Sequence, residues 1–161
     1  MDETQPLKLQ EGSVPAEWVD EFGHMNMARY VEACDFSTYG LWEYLNRPLS
    51  LEERQGSEYA VVETHVNYIG ELYKGDTYFI TTQILGSDNK RIWMYHELYH
   101  GEREELVATN EVMLLGFDLK GRRVMNFNPE VLKRCQELTE LHSRLALPTN
   151  ASRSIGLNKR A

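Results

Sequence analysis

Val19-Asp20-Glu21-Phe22-Gly23-His24-Met25-Asn26-Met27-Ala28-Arg29-Tyr30 joins an extended segment to the longest helical pattern in the chain. Before it, residues 7–19 read as extended, with Leu7, Leu9, Val14, Trp18 and Val19 interrupted by Gly12 and Pro15. After it, Met27, Tyr30, Val31, Cys34, Thr38, Leu41, Trp42 and Leu45 recur at three- and four-residue steps. That period predicts a helix over 27–46 with these side chains on one face. Asn26 stands where an N-cap stands, and Pro48 closes the segment.

Downstream the period changes to that of strands. Residues 59–69, 76–86, 90–100 and 105–118 are rich in Val, Ile, Thr, Tyr and Trp. Their separators, Lys74-Gly75-Asp76, Gly86-Ser87-Asp88-Asn89 and His100-Gly101-Glu102, are short turn sequences. Connections this short select antiparallel neighbours, because a parallel crossover needs about a dozen residues. Lys120-Gly121 turns the chain toward one more short strand. Pro129 then opens a second helix over 130–145, with Val131, Leu132, Cys135, Leu138, Leu141 and Leu145 on one stripe. The expected fold is α+β: a curved antiparallel sheet wrapped around one long helix, plus a C-terminal helix. Residues 1–147 read as one domain and 148–161 as a polar, loosely attached tail.

Composition narrows the function. The 161 residues are 42% hydrophobic and 26% charged, and 25 acidic residues against 17 basic ones leave a net charge of -8. Such a chain repels phosphate backbones and anionic lipid, so neither nucleic acid nor a membrane is an expected partner. The acidic, polar opening Met1-Asp2-Glu3-Thr4-Gln5 is unlike a signal peptide, which points to the cytoplasm. Cys34 and Cys135 are expected as two buried thiols and not as a disulfide. The histidines and cysteines lack zinc spacing, and no Gly-rich phosphate loop occurs, so neither a metal nor a bound cofactor is expected.

The joining stretch offers a carboxylate (Asp20), a turn glycine (Gly23), an imidazole (His24) and a capping amide (Asn26). Behind them lie the free N–H groups of the first helical turn. A helix start carries about half a positive elementary charge and suits a polarised carbonyl or oxyanion. A carboxylate beside such a start is the minimum for acyl transfer, with one group to attack or activate water and another to hold the developing charge. Read singly, Asp20 is equally a turn former, His24 a structural hydrogen-bonder and Asn26 a cap.

Asp20, Gly23, His24, Asn26 and Tyr30 together match the pattern Asp-x-x-Gly-His-x-Asn with a later Tyr. In this the chain resembles the 4-hydroxybenzoyl-CoA thioesterase-like branch of the hotdog superfamily. Glu63-Thr64-His65-Val66-Asn67-Tyr68, Gly75-Asp76 and Ala108 to Leu115 extend the similarity, which covers roughly 14 to 118. A narrower likeness, to thioesterases of carnitine breakdown that act on betainyl-CoA, rests on Tyr59 to Tyr68, Thr81 to Gly86, Lys90-Arg91 and Ala151 to Leu157.

The resemblance implies a thioesterase that hydrolyses a small or polar acyl-CoA, with CoA entering only as part of the substrate. It makes Asp20 the catalytic carboxylate, the backbone N–H of Met27 the group that polarises the thioester carbonyl, and His24 and Asn26 its orienting partners. It also implies a homodimer, or a dimer of dimers, with sites at the subunit interface. Gly23, Tyr30, His65, Tyr68, Lys90 and Arg91 are candidate substrate-binding residues, the two basic ones for CoA phosphates. His96, His100 and His142 are expected at the surface or at strand ends. Of Trp18, Tyr30, Trp42, Tyr68 and Trp93, two or three rings are expected to face the trimethylammonium of a betainyl group. The rivals are a hotdog hydratase or dehydratase, whose working His and Asp are placed otherwise, and a non-catalytic acyl-CoA-binding module.

Overall fold

The period-two segments form one antiparallel sheet in the computed structural model, which describes residues 1–47, 49–54 and 56–155. Pro48 and the end of the tail from residue 156, both named above, lie outside the described residues. The elements are β1 (Leu7–Ser13), α1 (Met27–Leu45), α2 (Leu51–Arg54), β2 (Ser57–Tyr68), β3 (Thr77–Ser87), β4 (Arg91–His100), β5 (Leu106–Asp118), β6 (Arg123–Val124) and α3 (Pro129–His142). Strand order is β1-β3-β4-β5-β2, with β6 beside β5. β2 therefore ends the sheet and hydrogen-bonds only to β5 along its length. The sheet curls around α1, which is the α+β hotdog layout.

α1 forms because its apolar residues share one stripe and Asn26 caps it, its Oδ1 accepting from Ala28 N at 3.0 Å. Tyr30, Ala33, Cys34, Thr38, Leu41, Trp42 and Leu45 are buried as the spacing demands, but Met27 is 64% exposed at the first turn. The first strand stops at Ser13, a 3-10 turn takes up Ala16–Trp18, and α3 ends three residues before Leu145. α2, a single helical turn, has too few residues to carry a period.

Two apolar clusters fill the space between helix and sheet. One gathers Leu41, Trp42 and Leu45 with Ile84, Met94 and the α3 residues Val131, Cys135 and Leu138. The other gathers Tyr30, Ala33 and Cys34 with Met25, Ile80 and Leu98. Cys34 and Cys135 are free and sit in different clusters. Burial pushes the Cys34 thiol up to about 12 and that of Cys135 up to about 11, so both are inert at neutral pH.

A polar layer separates the clusters, and here the structure corrects the expectation for His96 and His142, while His100 ends β4 as expected but is buried. His96, His100 and His142 are 0%, 5% and 1% exposed. His96 lies between Met94 and Leu98 on the inward face of β4, with Thr38 Oγ1 2.9 Å from Nε2 and Thr82 Oγ1 2.9 Å from Nδ1. His142 Nδ1 accepts from Ile84 N at 2.9 Å, and His100 Nδ1 accepts from Glu102 N at 3.2 Å. Burial of His96 and His142 is tolerated because a neutral imidazole can satisfy both of its nitrogens.

The segment after α3 is described as far as residue 155. It runs back over the outer face of the sheet, where Ser152 N donates to Glu111 at 2.8 Å. Among the described residues no helix is long and apolar enough to cross a membrane.

Candidate active site

Asp20 to Gly23 form a tight hairpin tip. Gly23 N donates to Asp20 O at 3.0 Å, Asp20 N donates to His24 O at 3.1 Å, and Val19 bridges Met25. Gly23 takes a φ of 87°, a left-handed geometry that closes the turn and favours glycine. Phe22 N donates to Asp20 Oδ1 at 3.0 Å, so the carboxylate is held by its own turn.

The other carboxylate oxygen accepts from Asn26 Nδ2 at 3.2 Å. Asn26 thus uses both ends of its amide: the nitrogen holds Asp20 while the oxygen caps α1 through Ala28 N. Asn26 O accepts from Arg29 N at 2.9 Å, which leaves the Met27 N–H without an acceptor among the described residues. A half-buried carboxylate and an open N–H at the positive end of α1 are brought together by one side chain.

The surrounding residues fix this start in place. Tyr68 OH donates to Met27 O at 3.1 Å, from the end of β2. Tyr30 is buried, its ring edge-on to Tyr68 with centroids 5.6 Å apart. Its hydroxyl donates to Gly70 O at 3.3 Å and accepts from Leu72 N at 3.0 Å. Burial raises the Tyr30 hydroxyl above its ordinary range, which keeps it neutral. His24 Nδ1 donates to Met25 O at 3.3 Å, and its Nε2 lies 3.9 Å from Glu71 Oε1.

Asp20, Gly23, His24, Asn26, Met27, Tyr30 and Tyr68 therefore meet at one end of α1. Three other candidates do not join them within one chain. His65 faces the outer side of the sheet, beside a cavity of about 540 Å³ with Trp93 and Glu111. Lys90 and Arg91 stand at the start of β4, where the sheet packs on the far end of α1, and Arg91 is paired with Asp88 at 2.6 Å. At 1.5 Å per residue, α1 separates them from Asp20 by roughly 25–30 Å.

Two neighbours were absent from the sequence expectations. Phe22 projects from the turn, 77% exposed, and stacks on His24 with ring centroids 6.3 Å apart. Glu71 comes from the loop between β2 and β3. A phenylalanine at a turn tip, where polar residues prevail, was a signal for the first. Glu71 reaches the site only through the tertiary fold.

A model of the thioesterase-like superfamily matches residues 14–135. The betainyl-CoA thioesterase of Pseudomonas aeruginosa is 34% identical over 154 residues, covering 96% of this chain and 97% of that protein. The L-carnitine dehydrogenase/betainyl-CoA thioesterase of Rhizobium sp. is 34% identical over 161 residues, and this chain spans 32% of its length. A Staphylococcus aureus protein solved in complex with CoA superposes with a TM-score of 0.81 at 24% identity, covering 95% of this chain and 97% of that one.

Proposed function

From the premise that the chain belongs to the thioesterase-like superfamily, we propose that it hydrolyses an acyl-CoA thioester with a small, polar acyl group, betainyl-CoA first. The observation that carries this is Asp20 held by Asn26 against the amide end of α1. Asp20 takes a proton from the water that attacks the carbonyl carbon; where Asp20 itself attacks, the acyl-Asp20 anhydride that forms is cleaved by water, which releases the acid, restores the carboxylate and supplies the proton. The carbonyl oxygen becomes an oxyanion against the Met27 N–H, the C–S bond breaks, and CoA leaves as the thiolate that receives the proton. Water is the only co-reactant. The betainyl group is favoured because both relatives described above carry that activity in their names.

The site is finished by a second copy of the chain. β2 is an open sheet edge with Val61 43% and Val62 55% exposed, the kind of edge that pairs with another strand. Among the described residues, none of four cavities of about 50–560 Å³ is lined by Asp20. A partner is therefore needed to enclose the substrate over it.

Thiol release from betainyl-CoA, acetyl-CoA and a medium-chain acyl-CoA tests the reading, with sedimentation of the same sample. Expected are turnover fastest with betainyl-CoA and a particle at least twice the 18.8 kDa chain mass. No turnover with any thioester favours a binding module and overturns the hydrolase. A monomer at working concentration overturns the shared site.

Asn26 has two roles that substitution separates. Asn26→Ser keeps a cap oxygen for the helix but loses the bond to Asp20, so stability to urea is expected to fall by only about 1 kcal/mol. Serine does not reach Asp20, and losing a hydrogen bond to a charged group is expected to lower kcat about 10-fold. An unchanged kcat would reduce Asn26 to a cap.

A further inference from the structure

We infer that Phe22 and Tyr68, both tied to the start of α1, form an aromatic seat for a quaternary ammonium group on the acyl part of the substrate; this rests on the betainyl-CoA reading above. In a betainyl thioester one methylene separates the nitrogen from the carbonyl carbon. Two bonds of about 1.5 Å bring the positive charge within roughly 2.5 Å of the carbon under attack. The cation must then sit against Asp20 and the Met27 N–H themselves.

Four of the five rings named from the sequence, Trp18, Tyr30, Trp42 and Trp93, are engaged elsewhere. Trp42 is buried against Tyr59 and Phe127, with ring centroids at 5.5 and 5.9 Å. Trp93 faces the outer side of the sheet, where its Nε1 donates to Glu111 at 2.7 Å. Trp18 stacks on Tyr78 at 6.2 Å, and Tyr30 is buried with its hydroxyl occupied. Tyr68, 45% exposed and bonded to the first residue of α1, is the ring of that set which opens onto the site.

Phe22 supplies the second surface. Its N–H is donated to Asp20 Oδ1, so the backbone that carries the ring is fixed to the carboxylate proposed to react. One ring face is turned to His24, while most of the side chain is exposed. A methylated ammonium has no N–H to donate, so a ring face suits it better than hydrogen-bond acceptors do. Glu71, near His24 Nε2, adds negative charge on the same side.

The test compares betainyl-CoA with 3,3-dimethylbutanoyl-CoA, which has the same shape with carbon in place of the charged nitrogen. The ratio of kcat/KM for the two thioesters is read for the parent and for Phe22→Leu, which keeps an apolar side chain but removes the ring. The parent is expected to favour betainyl-CoA, and Phe22→Leu to lower that ratio about 3–10-fold. An unchanged ratio, even with both rates reduced, would make Phe22 a packing or dimer-contact residue and overturn the seat alone. A parent that hydrolyses the neutral thioester equally well overturns the betainyl reading and the seat together. One that hydrolyses neither overturns the hydrolase as well.

Discussion

Asp20→Asn is expected to lower kcat for thioester hydrolysis by about 10²–10⁴-fold, the usual effect of removing a positioned catalytic base or nucleophile. The substitution is nearly isosteric, so the change reads out charge more than shape. One cost is local. The carboxylate accepts from Phe22 N and from Asn26 Nδ2, and an amide can offer only one oxygen to those two donors. The turn therefore loses one hydrogen bond, worth about 1 kcal/mol of stability. CoA binding, measured by calorimetry with the free thiol, is expected to survive, because the carboxylate is placed at the acyl end of the substrate. Retained turnover in this variant would move the chemistry away from the α1 start and remove the basis of the proposed mechanism.

Acid lability is the second large effect, and it comes from the buried His96. The hydroxyl hydrogens of its neighbours run in one order. Thr38 Oγ1 donates to Cys34 O at 3.2 Å, so it must accept from His96 Nε2–H. Nδ1 then accepts from Thr82 Oγ1, which in turn accepts from Ser37 Oγ at 2.9 Å. The imidazole is neutral in this chain of bonds, and complete burial alone pushes its pKa down to about 3. In the unfolded chain it returns to about 6.5. The unfolded state thus binds a proton that the native state refuses between pH 6.5 and 3. Stability is full above pH 6.5 and drains as pH falls, by roughly 1.4 kcal/mol per pH unit from this group. His142, whose pKa is also lowered by burial, adds to the loss in the same direction.

Urea denaturation at pH 7 and pH 5 checks this against His96→Gln, whose amide donates and accepts but never ionises. The variant is expected to be less stable at pH 7 by about 1–3 kcal/mol, since a side chain of different shape enters a packed core. Its stability should fall less steeply than the parent's on acidification, by about one proton's worth of slope. Equal slopes would show that His96 does not drive the acid sensitivity.

These elements differ in how openly the sequence announced them. The Asp20 turn was legible because its contacts are local: Asp20 to Phe22, Gly23 and Asn26, and Asn26 to Ala28, all lie within nine residues. Turn and cap geometry depends on spacing and residue type alone. The buried histidines were readable in principle. His96 continues the inward alternation of Ile92, Met94 and Leu98, and His142 follows Leu138 by four residues on the α3 stripe. Their polarity masked the period.

How far Lys90 and Arg91 stand from Asp20 within one chain was not legible, because nearness to a turn says nothing about which end of α1 that turn adjoins. That is set by strand register, as in Ile84 against Met94 and Tyr78 against His100. The contact of Ser152 with Glu111 was illegible for a similar reason, since it spans 41 positions of chain. The amino-acid order by itself determined the helix, the strands, the α+β class and the carboxylate turn at the head of α1, since each follows from periodicity or contacts a few residues long. The sheet's folding around α1 decided which rings stay open beside Asp20, which histidines lose their water and which charges stand a helix-length away, because burial and distance depend on long-range pairing that no short window of sequence contains.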